Sequence, residues 1–511
     1  LESAAIPAPA TTPRDTSAPG EKGLKAGALG YMSNLVIAVA STAPAYSLAT
    51  TLGFIVAVPG ITTHAPAVLL VSFVPILFIS AAYRYLNLAD PDAGTSFAWG
   101  TRALGPQMGW INGWAIFLAD VIVMASLSEI ASTYTFDLFG WTSAANSTTA
   151  IIIGSVVWIV LMTWICYRGI ELSARIQALL LSTECLILII FSVVALTNTY
   201  SGLHGSIKPE FSWFNPFALG TTPLLGGILL GIFVYWGWDS GVAVNEESEN
   251  PAEGPGRAAV LSTVLLVLIY ILVGTAAQAD HGTAFLAQNS SDVLSPLGTR
   301  VFGTGILQKF LLFSVLTSAS ASTQTTILPT ARTTISMASW GALPKAFARV
   351  HPRFLTPSFS TLMMGGVSIV WTVGLLLTSS PNAVLSDSIT GLGFAILFYY
   401  GFTGLFCVVY YRRELFKSWH RALLVGLVPF VGFAGMAYIF VKDFITVSTP
   451  GYNLTPPILG VQTPIVIGVG GLLLGLVFMA AQWILMPEFF KRRPQTADPK
   501  ILEEHLAHTA S

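Results

Sequence analysis

The chain has 511 residues, 53% hydrophobic and only 10% charged, with a mean hydropathy of +0.70 and a formal net charge of -1. A soluble domain carries about 25% charged residues, so this composition excludes a solvated globular surface and predicts an all-α polytopic membrane protein. No basic stripe exists to track a phosphate backbone, which excludes nucleic acid as a partner. Cys166, Cys185 and Cys407 have neither metal nor disulfide-framework spacing.

Residues 1–26 are rich in Ala, Pro, Thr and Ser and are expected to form a disordered cytoplasmic arm. They lack the apolar stretch of a cleaved signal peptide. Twelve apolar stretches follow, each long enough to cross the roughly 30 Å hydrocarbon core. They run near 28–57, 65–87, 107–135, 150–168, 172–197, 221–245, 258–279, 305–331, 357–378, 385–411, 422–441 and 459–487. A charged cytoplasmic tail, 488–511, ends the chain. With the N-terminus inside, twenty Lys and Arg residues fall on the inner side. Only four, Lys208, Arg300, Lys309 and Lys442, fall outside. That asymmetry predicts a multi-pass protein of the cell membrane with both termini cytoplasmic.

The first and sixth spans are interrupted at mid-length. The first breaks at Ser41 to Ser47 around Pro44, and the sixth at Gly237 to Gly241. The expected solute-binding residues there are Ser41, Thr42, Ala43, Pro44, Ala45 and Tyr46 in the first and Tyr235, Trp236, Gly237, Trp238, Asp239 and Ser240 in the sixth. Broken backbone inside a membrane is tolerated only where it lines a cavity or is buried in protein. A broken pair at matching places of two halves points to a transporter's binding site. The expected layout is a transporter domain over 27–487, with repeats 27–197 and 221–411 and an extra pair of helices at 422–487. Five spans per half invert the second repeat relative to the first.

Asp120, Glu129, Glu184 and Asp239 lie deep in predicted spans, with no Lys, Arg or His at comparable depth. Asp387 lies at the outer edge of its span and is expected to be wet. Each charged acid at mid-membrane costs roughly 2.5–3.5 kcal/mol, so these groups require protons, hydrogen bonds, water or a cation. Asp239 sits between carbonyl-rich backbone and the aromatic faces of Tyr235, Trp236 and Trp238, which suits an ammonium group. Its plainer role is to cap the inner half-helix. Asp120 and Glu129 are nine residues apart and point to opposite helix faces. Asp120, sharing its face with Met124, is predicted to be the cavity residue. Glu184, near the middle of the fifth span, is the predicted proton-coupling group, because a buried carboxyl is cheapest as the neutral acid. The alternative is a neutral Glu bonded to hydroxyls of the eighth span. Glu246, Glu247 and Glu249 are expected either to pair with Arg84, Arg102 or Arg257 as an inner gate or to stay solvated.

Three motifs carry a resemblance. They are PDAGTSFAWGTRALGPQMGWINGW (91–114), GIELSARIQ (169–177) and FVYWGWDSGVAVNEESENP (233–251). Together they resemble the amino acid–polyamine–organocation transporter superfamily. The resemblance implies the leucine-transporter-type fold: two inverted five-helix repeats, two further helices, and alternating access. Two departures matter. Many amino-acid transporters of that family have a Gly-rich first break whose amides hold a carboxylate; here Pro44 offers no amide. Some proton-coupled relatives carry a lysine where Glu184 stands. Sodium-coupled relatives of this fold use hydroxyls of the eighth helix, which makes Thr317, Ser318 and Ser320 a candidate cation site. Helix packing is the plainer use of such small residues.

The expected function is secondary active transport of amino acids or related amines, coupled to a proton gradient, with sodium as the alternative ion. The acid-rich interior and Pro44 favour a cationic amine, such as a polyamine, diamine or basic amino acid. A neutral amino-acid permease or exchanger is the second reading, and a nutrient sensor on the same fold the third. No catalytic constellation or H-E-x-x-H spacing points to an enzyme. No cofactor or resident metal is expected. The expected partners are the small solute and the lipid bilayer, with the chain a monomer or homodimer.

Overall fold

The computed structural model describes residues 22–202, 205–449 and 455–510. The main helices in chain order are α1 (Tyr31–Ser41), α2 (Pro44–Ala57), α3 (Ala65–Ala89), α4 (Ser96–Ala103), α5 (Pro106–Leu138), α6 (Thr148–Arg168) and α7 (Ile170–Tyr200). There follow α8 (Thr221–Tyr235), α9 (Ser240–Ala243), α10 (Gly254–Gln288), α11 (Leu294–Phe302), α12 (Ile306–Ser339), α13 (Ser358–Thr378) and α14 (Pro381–Tyr410). The last are α15 (Trp419–Val447), α16 (Thr463–Leu485) and α17 (Pro499–Ala510). No strand occurs among the described residues.

Among the described residues, eleven stretches are long and apolar enough to cross a membrane. The remaining expected span falls in α12, a 34-residue helix whose many Ser and Thr residues lower its hydropathy. From Ser314 to Ala338 every residue of α12 is buried. A helix wrapped by protein needs no lipid-facing apolar stripe.

Both breaks form where expected. α1 ends at Ser41, Ala43 takes a left-handed φ of 48°, and Pro44 starts α2. Proline lacks an N–H and its ring crowds the preceding turn, so a continuous helix cannot pass through it. α8 ends at Tyr235, and Gly237 adopts φ 116°. The breaks touch: a Cβ on Gly237 would lie 2.7 Å from the Ser41 carbonyl oxygen. Leu29, before α1, bridges to Ser248, after α9, so both lie at one end of the bundle. The two broken crossings therefore run in opposite directions.

The structure corrects two expectations, the loose arm and the wet Asp387, and adds packing to the charged tail. Residues 22–26 do not belong to a loose arm: Leu24 and Ala26 are buried and Lys22 is held by two acids. Residues 1–21 of that arm lie outside the described residues. The segment after residue 487 also packs onto the bundle. Phe489, Phe490 and Leu502 are buried, and the Ala497 N–H donates to the Tyr410 carbonyl at 3.0 Å. Asp387 is buried, and accepts the Thr455 N–H at 2.9 Å as well as the Thr455 hydroxyl.

Candidate solute site at the paired helix breaks

A helix start leaves backbone N–H groups without intrahelical partners. At α2 the protein satisfies them itself. Pro44 has none to offer. The Ala45 N–H donates to Glu184 Oε1 at 2.7 Å and the Tyr46 N–H to Ser318 Oγ at 3.1 Å. The Ser318 hydroxyl donates to the same Glu184 oxygen at 2.8 Å, and the Ser47 N–H closes on the Ala43 carbonyl at 2.8 Å. Glu184, from α7, thus caps α2 through space, where the helix dipole favours negative charge. Its second oxygen, Oε2, is buried without a partner.

The second break presents an acid. Asp239 accepts from the Tyr400 hydroxyl at 2.8 Å on Oδ1 and from the Tyr399 hydroxyl at 3.1 Å on Oδ2. Trp236 Nε1 donates to the Tyr399 oxygen at 2.5 Å, orienting that hydroxyl toward Asp239. The Asp239 side chain makes no capping bond to α9, so the plainer capping role is not the one it plays. The Val234 carbonyl, freed at the end of α8, accepts from the Tyr270 hydroxyl at 2.7 Å. Ser41 and Ser240 join the breaks through their hydroxyls at 2.8 Å. Thr42 turns its hydroxyl back to the Val39 carbonyl at 2.7 Å, and Ala43 and Ala45 are buried.

The aromatic residues divide. Trp238 is fully enclosed, edge-on to Tyr83 at 4.9 Å and tilted against Tyr400 at 5.2 Å. Tyr235 points away from the break: its hydroxyl reaches the Leu69 carbonyl at 3.1 Å and its ring packs on Phe73 and Tyr270. As the last helical residue of α8 it faces α3 and α10, whereas Trp236, already outside the helix, turns toward α14. Tyr46 donates its hydroxyl to Ser126 at 2.8 Å.

On α5, Asp120 accepts the Thr330 hydroxyl. Met124 belongs to an apolar cluster with Ile37, Val121, Val244 and Ile327, and so forms wall rather than polar contact. The proposed hydroxyl set on α12 also separates. Ser318 reaches the first break, whereas Thr317 bonds back to its own helix at 2.9 Å and Ser320 Oγ is buried without a partner. Ser322, one turn beyond Ser318, donates to the Ser41 carbonyl at 2.8 Å. The i, i+4 spacing of Ser318 and Ser322 was the available signal, since such residues share a helix face. Tyr399, Tyr400 and Tyr270 had no comparable signal beyond being hydroxyls inside apolar spans.

Residues 29–472 match the amino acid permease family. This chain belongs to that family. The permease is 26% identical over 412 residues to the mouse Asc-type amino acid transporter 1, covering 77% of this chain and 73% of that one. It is 23% identical over 374 residues to a branched-chain amino acid permease of Lactococcus lactis, covering 71% and 78%. It is 24% identical over 322 residues to the methylthioribose transporter of Bacillus subtilis, covering 60% and 67%. The family is one of transporters, not enzymes, and its members are multi-pass membrane proteins.

Ion pairs join the helices of the permease at the end that carries its N- and C-terminal segments. Lys22 Nζ lies 2.8 Å from Asp92 and 2.6 Å from Glu246, and donates to Ser336 at 3.2 Å. Trp340 Nε1 donates to Asp92 at 3.1 Å. Burial opposes charge on Lys22, but the two acids outweigh it and hold the ammonium above the ordinary lysine pKa. Burial likewise pushes Asp92 up, but Lys22 and the donors around it bring it below the usual carboxylate range. The Lys22–Asp92 pair is therefore charged across neutral pH. Arg332 grips Glu247 through two bonds, of 2.8 and 3.0 Å, with both side chains enclosed. The expected partners are elsewhere: Arg102 pairs with Asp90, Arg257 with Glu253, and Arg84 lies beside His505.

Breaking a buried pair by removing one partner strands the other charge, at a cost of about 3–5 kcal/mol. Arg332→Met is therefore expected to lower the thermal unfolding midpoint of the purified permease sharply. Adding Glu247→Leu should recover most of the loss. A single variant as stable as wild type would show that the pair contributes nothing to stability.

Proposed function

We propose that this permease is a secondary active transporter that carries amino acids or related amines across the cytoplasmic membrane by alternating access. Both termini face the cytoplasm, so the end tied by Lys22 and Arg332 is the inner one. The observation that carries this reading is the division of charge between the breaks. The amides at the start of α2 are already taken by Glu184 and Ser318. What remains for a solute is spare acceptor capacity. The Asp239 carboxylate and the partly negative carbonyl ends of α1 and α8 already accept from Tyr399, Tyr400, Ser322 and Tyr270. An N–H donor is spent after one bond, whereas each oxygen has further lone pairs. A solute is therefore held first by its ammonium end, with Trp236 and the paired tyrosines as aromatic and hydroxyl walls.

This chemistry favours a cationic amine: a diamine, polyamine or basic amino acid. A neutral amino acid is the second reading. The relative named as a branched-chain permease supports it, as do the hydroxyl partners that Asp120 and Asp239 already have. In either case the bundle rocks about the two breaks. Glu184 takes and loses a proton on its free Oε2 while Oε1 keeps its two donors, which couples uptake to a proton gradient.

Uptake of labelled putrescine, arginine and alanine into liposomes tests this, with and without an inward proton gradient and with choline replacing sodium. Arginine or putrescine uptake that rises with the gradient and ignores sodium is expected. Strict sodium dependence would move coupling to Ser318 and its neighbours. Glu184→Gln keeps an acceptor for Ala45 and Ser318 but cannot titrate. It should therefore retain exchange and lose gradient-driven accumulation; undiminished accumulation would remove Glu184 as the proton carrier.

A further inference from the structure

Most acids in the membrane core have a donor. Asp120 has Thr330, Glu184 has Ala45 and Ser318, Asp239 has two tyrosines, and Asp387 has Thr455. Glu129 on α5 and Asp443 on α15 differ: each is buried, and Glu129 Oε2 and Asp443 Oδ2 are enclosed without a partner. Of the two, Glu129 lies one turn beyond Ser126, whose hydroxyl accepts from the break residue Tyr46 at 2.8 Å. Tyr46 in turn sets its amide on Ser318, which donates to Glu184. One residue of the break thus stands between two carboxyls.

We propose that Glu129 is a second proton-binding site of the permease, on the outer side of the solute site. An ionised carboxylate in a low-dielectric interior costs several kcal/mol unless it is paired or hydrogen-bonded, whereas the neutral acid loses only its hydrogen bonds. In this state Glu129 therefore carries a proton. Among the described residues, no charged side chain of α4, α6, α12, α13, α14 or α16, which pack on α5, makes an ion pair or hydrogen bond with it. Glu129 lies nine residues beyond Asp120, or about 13 Å further along the helix toward the outer end. Further out, Tyr134 donates to Asp292, and the Val293 N–H donates to the Ala49 carbonyl at 2.9 Å. The segment between α10 and α11 is thereby tied to the middle of α2 and to the outer end of α5. Release of that tie admits water to Glu129 from outside, and opening of the Lys22 end does not.

The transport consequence rests on the proton-coupled reading above; the protonation itself does not. Wild-type and Glu129→Gln permease in liposomes are compared by infrared difference spectroscopy at neutral pH, with gradient-driven uptake and counterflow measured on the same vesicles. The expected result is a protonated-carboxyl band that Glu129→Gln lacks, together with loss of gradient-driven accumulation and retention of counterflow. Identical carboxyl bands, or full accumulation by Glu129→Gln, would overturn the proposal. If wild type itself ignores the gradient, the coupled reading falls, and the band alone decides whether Glu129 binds a proton. Should Glu129→Gln lack counterflow, Glu129→Asp must restore the band and accumulation, and its failure to do so counts against the site.

Discussion

Gly237→Ala is expected to abolish transport while leaving the chain folded and inserted. Gly237 holds φ 116°, a conformation that side chains rarely adopt, and the added Cβ would meet Ser41 at 2.7 Å from O and 2.9 Å from C. Such strain alone costs on the order of 1–3 kcal/mol. The contact is with backbone, so no side chain can swing aside to relieve it. The neighbouring Ser41 carbonyl is also pinned by Ser322. The two breaks must therefore move apart, which separates the Ser41–Ser240 contact and displaces Asp239. The rest of the bundle, packed independently of this point, has no reason to unfold. Gly374→Ala is the matched control, because nothing lies within 4 Å of its added Cβ. Counterflow near wild type in Gly237→Ala would mean that the close approach of the breaks is dispensable.

Asp239→Asn is the second large effect. The amide keeps one oxygen to accept from Tyr400, and its nitrogen can donate to the Tyr399 oxygen, so the local fold survives. The negative charge does not. A hydrogen bond to a charged group contributes about 1.5–3 kcal/mol, which corresponds to solute binding weakened roughly 10- to 150-fold. Direct binding to the purified variant reads this. Unchanged affinity would place the ammonium group elsewhere.

The breaks were legible because Pro44 and the Gly237–Gly241 stretch punctuate otherwise continuous apolar runs, and local backbone chemistry decides such points. Depth was legible too, which singled out Asp239, Asp120 and Glu184. Direction was harder. Tyr235 and Trp236 are adjacent, yet one serves the α3–α10 packing and the other the site, because a helix ends between them. Thr317, Ser318 and Ser320 differ by 100° steps, and only Ser318 faces α2. Non-local partners were beyond reach: nothing near Lys22 in the chain announces Asp92 or Glu246. The Tyr399–Tyr400 pair likewise looks like any aromatic stretch of an apolar helix until Asp239 is placed beside it. Glu184 was expected at mid-depth, but its role as the cap of α2 depends on how α7 packs against α2.

Recognition through the amine end is the central claim, and competition in counterflow tests it most directly. Liposomes preloaded with the transported solute would take up its labelled form in the presence of leucine, leucinamide, cadaverine or the carboxylate analogue of leucine that lacks the amine. Leucinamide and cadaverine should compete, and the amine-free carboxylate should not. An amine-free carboxylate that competes as well as leucine, with leucinamide inert, would contradict the account and return the α2 amides to the solute.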